Sequence, residues 1–117
     1  MSLQAPDDAK PALDILRSVG GDDMLAMMMQ TFIDFADERM SKMNEAAAAG
    51  NVVEVAAIAH SLKSSSRQLG AMPLGESCEA AEKAGKAGDA AGAAAAVAAA
   101  KQDYAAARLW MAAIAGA

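Results

Sequence analysis

Apolar residues in this chain recur at alternating spacings of three and four, and glycines interrupt the pattern at intervals. An α-helix turns once per 3.6 residues, so this spacing lines one helical face with apolar side chains. A half-buried strand would need alternation at a spacing of two, and no stretch of the sequence has it. Leu25, Met29, Phe32, Ala36, Met40 and Met43 form one stripe. Val52, Val55, Ala59, Leu62, Ser66 and Leu69 form a second, and Leu74, Cys78 and Ala81 a third. Ala93, Val97, Ala100, Tyr104, Ala107, Met111 and Ile114 form a fourth. The residue types agree with the spacing, since Ala dominates, Met is frequent and aromatics are only 3% of the chain.

The punctuation sets the boundaries. Gly20-Gly21, Gly50, Gly70 and the Gly85 to Gly88 segment are stops. Asp22 and Asp89 suit helix N-caps, Asn51 with Glu54 comes close to a capping box, and Pro73 suits a first turn. Helices are predicted over about residues 7–18, 22–49, 51–69, 72–85 and 89–114, in one domain over 1–117. The first is short and carries Leu13 and Leu16 inward. The other four are amphipathic and joined by short loops, so the expected fold is all-α, an antiparallel four-helix bundle. The last helix is rich in Ala and is expected to pack by close approach of small side chains.

Composition excludes several classes of function. One cysteine, Cys78, makes no internal disulfide and fits a reducing cytosol. One His and one Cys are too few for a structural zinc site, and no loop has the alternating Asp/Asn spacing of a calcium loop. No metal site is therefore expected. The longest apolar run, Ala90 to Ala100 with Gly92 inside it, is 11 residues, against about 20 for a membrane span. Asp7 and Asp8 stand where a signal peptide would be basic and then apolar. A formal net charge of −5 without a basic cluster argues against nucleic acid. A soluble, cytoplasmic protein is expected. No Gly-rich nucleotide loop is present, so no autokinase activity is expected.

The remaining chemistry gathers around the one histidine, His60. Lys63, Ser64 and Arg67 follow it at +3, +4 and +7, on the same helical face. The ordinary reading of such a face is a solvated surface. Its chemistry also suits phosphoryl transfer. A neutral imidazole is a competent nucleophile, Lys63 and Arg67 bring cationic charge for phosphoryl oxygens, and the small Ser64 leaves room for an approaching partner. No Ser or Cys with an orienting carboxylate stands at triad spacing. Such a face can accept and hand on a phosphoryl group, while nucleotide and metal must come from elsewhere.

The segment from Ala59 to Ala71 resembles the signature of histidine-containing phosphotransfer (HPt) domains, approximately H-x-L-K-G-x-S-x-x-x-G-A. His60, Leu62, Lys63, Ser66, Gly70 and Ala71 match it. The resemblance continues through Leu74, Cys78 and Glu82 to Gly88-Asp89, and upstream through Gly20-Gly21-Asp22, Leu25 and Phe32. It implies an up-and-down four-helix bundle preceded by a short N-terminal helix. It implies that His60 carries the phosphoryl group on Nε2, with Lys63 beside the phosphoryl oxygens. Glu82 falls where the family places a polar residue that holds the other ring nitrogen; the plain alternative is a solvated surface acid. Ser66 is expected to be a buried hydroxyl bonded to its own helix. One position departs from the pattern, Ser64 in place of the family's Gly, and is expected to bear on partner docking.

The resemblance implies a monomeric phosphorelay intermediate, a phosphocarrier rather than a true catalyst. It would exchange phosphate with the aspartate of a response-regulator receiver domain and take it from a sensor or hybrid histidine kinase. It would bind no cofactor of its own, Mg²⁺ belonging to the receiver. Two rival readings remain. One is a binding module of the same fold that occupies a receiver or kinase without carrying phosphate. The other is the phosphoacceptor domain of a larger histidine kinase; with no catalytic or dimerisation region in the sequence, a standalone protein or an excised domain is the simpler expectation.

Overall fold

The structure, a computed structural model, describes residues 3–116. Pro6 leads into one 3-10 turn at Asp7–Ala9, and four α-helices follow: α1 Lys10–Ala48, α2 Val52–Gln68, α3 Met72–Lys86 and α4 Ala90–Gly116. Each helix packs on its neighbours in the chain, and α4 closes the ring against α1. The result is an all-α up-and-down bundle of antiparallel helices, 42 × 22 × 20 Å along its principal axes.

The apolar stripes meet along the axis, where Leu25, Met29, Met43, Leu62, Leu74 and Met111 are wholly buried. On α4 the small Ala93, Ala100 and Ala107 alternate with the larger Val97, Tyr104 and Trp110, all buried. Tyr104 also pins α4 to α1. Its hydroxyl donates to Asp37 Oδ1 at 2.6 Å, and its ring meets Phe32 edge-on at 6.5 Å between centroids. Arg108 grips both oxygens of the same Asp37 carboxylate, at 2.9 and 2.8 Å.

The three joints between helices share one geometry. Gly50, Gly70 and Gly88 have φ of 72°, 89° and 72°. In each, the glycine N–H bonds three residues back and the next N–H five residues back, which satisfies the last free carbonyls of the helix. The residue after each glycine already stands at the N-cap of the next helix. Asn51 there accepts from the Glu54 N–H, and Asp89 from the Gly92 N–H. Such joints leave no slack, so the register between successive helices is held by the backbone.

The break read from the sequence at Gly20-Gly21 is present. The run labelled α1 is two helices that meet at a kink at Gly21, where φ is 74° and ψ −173°. A single residue leaves the helical region, so no loop opens between the short first helix and the long second one. The Asp22 carboxylate, expected as a cap, instead accepts from Arg17 Nε across the kink at 3.1 Å. The segment before the kink still turns Leu13 inward and seats Ala9 against the Gly70 joint.

α2 and α3 form the most extensive helix pair, and glycine sets how close they lie. A Cβ on Gly85 would stand 2.6 Å from the Val52 carbonyl oxygen and 2.8 Å from Ala56 Cβ. Ala at this position gains about 0.5–1 kcal/mol of helix propensity but forces overpacking that costs about 1–3 kcal/mol. The loss is the larger, and the obstacle is backbone, so Gly85→Ala is expected to lower the urea midpoint of unfolding. An unchanged or raised midpoint would show that the two helices tolerate separation.

Candidate functional site

His60 stands on the outer ridge of α2, anchored from below by the wholly buried Ala59 and Leu62. Its side chain is 66% exposed. Across the groove, on α3, the Glu82 side chain is only 6% exposed. The close approach at Gly85, one turn further along α3, brings the two together. Glu82 Oε2 lies 2.7 Å from His60 Nδ1, and Glu82 Oε1 lies 2.5 Å from Lys63 Nζ. His60 and Lys63 are three residues apart on α2, so both overhang the same point on α3. A third partner arrives from α3 itself: Lys86 Nζ is 3.1 Å from Glu82 Oε2.

The electrostatics follow from this crowd of donors. The hydrogen bond from Lys63, opposed by burial and aided by Lys86 and His60, pulls the Glu82 carboxyl down to about 2. Glu82 is therefore ionised at neutral pH and can only accept. With Nδ1 against an acceptor, the ring proton belongs on Nδ1, and Nε2 keeps its lone pair on the far side of the ring. The arrangement is an oriented, exposed nitrogen nucleophile backed by a buried carboxylate.

The ridge read from the sequence divides here. His60, Lys63 and Glu82 come together. Ser64 is exposed on the ridge one turn beyond His60. Arg67 turns away, its guanidinium 3.3 Å from Glu79 Oε2 and its stem lying over Gly75. It is held by α3 and is not part of the cluster at the ring. Glu82 is buried, so the reading of a solvated surface acid does not hold. Lys86 is the residue that sequence reasoning missed. Its signal was its place four residues after Glu82, the spacing at which two side chains of one helix meet. Ser66 is wholly buried and donates to the Leu62 carbonyl at 2.6 Å. Cys78 is buried, and burial pushes its thiol up to about 12, so it is not a nucleophile. Among the described residues, no group of three or more His, Cys, Asp and Glu side chains is placed to hold a metal ion. No helix among them is long and apolar enough to cross a membrane.

Comparison with known proteins places the chain in a family. A family described as the Hpt domain matches residues 27–110. The crystal structure of histidine-containing phosphotransfer protein B (HptB) from Pseudomonas aeruginosa PAO1 is similar, with a TM-score of 0.84 and 26% sequence identity over 92% of this chain and 93% of that one. No curated protein matches the sequence.

A carboxyl held below its ordinary value of 4.5 in the folded state contributes stability above that value. That contribution is lost as the pH falls toward about 2. Thermal melts between pH 6 and pH 2 should therefore show a steeper acid loss in wild type than in Glu82→Gln, which has no proton to take up there. Equal acid slopes in the two proteins would mean that the Glu82 contacts do not form in solution.

Proposed function

The chain belongs to the Hpt domain family, and from that membership we propose that His60 accepts a phosphoryl group on Nε2 and exchanges it with the aspartate of a response-regulator receiver domain. A histidine phosphotransfer role in phosphorelays is the family's, and the similar protein from Pseudomonas aeruginosa carries that description in its name. The observation that carries the finer reading is the 2.7 Å contact between Nδ1 and the ionised Glu82, which leaves Nε2 as the free nucleophile on an exposed ring.

The step balances without an added base. The Nε2 lone pair attacks phosphorus, and an N–P bond forms as the P–O bond to the donor aspartate breaks. The bonding pair leaves with the aspartate carboxylate. The proton on Nδ1 stays in place, so the ring becomes cationic as it is phosphorylated. Glu82 faces the nitrogen where that positive charge grows and stabilises it. Return of the group to a receiver is the same path reversed. Mg²⁺ and the charge stabilisation of the reacting aspartate belong to the receiver, and the nucleotide to a sensor or hybrid kinase upstream. Ser64, exposed beside His60, lies on the ridge a receiver loop would meet. Arg67, held by Glu79, lies at its far end.

Incubation with a phosphorylated receiver tests the carrier reading directly. Wild type should gain acid-labile phosphate and His60→Gln none. If wild type gains none, the carrier reading fails and a binding module of the same fold takes its place.

Ser64→Gly tests the ridge. Gly in an exposed helix costs up to about 1 kcal/mol, so the fold should survive. The transfer rate from a receiver should change several-fold, while phosphorylation by a small donor should not. An equal change with both donors would place the effect in the ring and not in docking.

A further inference from the structure

The contact that orients His60 has a second effect. Glu82 Oε2 lies 2.7 Å from Nδ1, and a carboxylate this close favours the charged form of an imidazole. An imidazolium carries a proton on both nitrogens and has no lone pair to attack with. Glu82 by itself would therefore turn the ring correctly and also draw onto Nε2 the proton that blocks it. A nucleophile at this position needs the first effect without the second.

Lys86 separates the two. Its Nζ lies 3.1 Å from Oε2, the same oxygen that accepts from Nδ1, while Lys63 Nζ lies 2.5 Å from Oε1. With a neutral ring the one carboxylate already faces two ammonium groups, a surplus of one positive charge. A protonated ring would raise that surplus to two, and like charges at one site disfavour the second. No further charge enters from the neighbouring helices. The groove beside the ring is lined by small and apolar side chains of α2 and by Gly85, and besides His60 its titratable members are Glu82 and Lys86, both on α3. From α2 the carboxylate meets Lys63, and the next cation along that helix, Arg67, is taken by Glu79.

The two lysines differ in what they are placed to do. Lys63 follows His60 by three residues on the same face of α2, and the family resemblance implies a place for it beside the phosphoryl oxygens. A Lys63 turned that way releases Oε1. Lys86 lies on the Nδ1 side, four residues after Glu82 on the same helix, and stays with the carboxylate. Its side chain is 70% exposed, and an exposed pair at this spacing adds little to stability.

From this we infer that Lys86 is a positioning residue that acts through Glu82: by sharing Oε2 it lets the carboxylate orient the ring without drawing a second proton onto it, and it remains the counter-ion of Glu82 when Lys63 turns to the phosphoryl group. The inference rests on the carrier reading above and adds no bond-making step to it.

His60 is the only histidine, so its ring protons are followed through a pH titration by NMR without ambiguity. Lys86→Gln should move the midpoint of that titration up by about half a pH unit, the worth of one exposed ion pair. Lys86→Arg should leave it at the wild-type value. Phosphoramidate supplies the rate because it needs no docking: its P–N bond breaks and ammonia departs as the N–P bond to Nε2 forms. The rate profile should move with the midpoint, so that Lys86→Gln is slower than wild type below it and no slower above it. If Lys86→Gln titrates at the wild-type midpoint, or is slower than wild type at every pH, the inference is overturned and the carrier reading stands. If wild type itself gains no phosphoryl group on His60, the carrier reading falls, and this inference with it.

Discussion

A carboxylate between two packed helices is tolerated only when charged donors face it from close range. Glu82 meets that condition from both sides, through His60 and Lys63 on α2 and Lys86 on its own helix. Much of the bundle can be understood as what holds that meeting in place. Gly85 lets α3 approach α2 to the point where a methyl group would collide with the Val52 carbonyl. The Gly70 joint fixes the register between these helices with two backbone bonds and no intervening loop. On the opposite side, the Asp37, Tyr104 and Arg108 contacts tie α4 to α1 and close the ring of helices. A shift of α3 by one residue would turn Glu82 about 100° around its axis and away from the ring.

Both halves of the site stand on helices, so the site is organised before any partner arrives. The Nδ1 contact favours the ring tautomer that the proposed transfer uses, and it fixes the plane of the imidazole. The residues around His60 offer one nucleophile, one carboxylate and two ammonium groups. That set can receive a phosphoryl group and stabilise the cationic ring that results. Activation of an aspartyl phosphate asks more, namely charge neutralisation on the donor side of the transfer, and on the proposed reading the receiver meets that demand.

How far the sequence revealed this depends on which interactions are local. Helical faces follow from spacing along one chain segment, so the apolar stripes, the caps at Asn51 and Asp89, and the exposed place of His60 beside the Ala59 and Leu62 stripe were all legible. The break at Gly20-Gly21 was legible too, although two adjacent glycines do not tell a loop from the bend at a single residue that the structure has. Arg67 and Lys63 share a face with His60 in one-dimensional reasoning, yet both turn toward acids on α3, and Arg67 finds Glu79 one turn away from Glu82. Only the packing of α2 against α3 decides which acid takes which cation. Lys86 lies on another helix from His60, and its link to the ring passes through Glu82; it becomes visible once the buried carboxylate, rather than the histidine, is taken as the centre of the site.

A carrier is constrained in a way that an enzyme binding a stable product is not, because it must give up what it takes. A deep pocket lined with cations would hold a phosphoryl group well and return it slowly, since each charge-assisted hydrogen bond is worth about 1.5–3 kcal/mol, at least tenfold in an equilibrium constant. Here the ring is 66% exposed, and the cluster offers a single surplus charge. On the proposed reading, so open a site favours the arrival of a phosphoryl group without holding it fast. The burial is assigned to Glu82 and the exposure to His60, which on the proposed reading two partners reach in turn. Placing the orienting group inside and the reacting group outside gives a fixed geometry with a loose grip, and a reversible relay needs both.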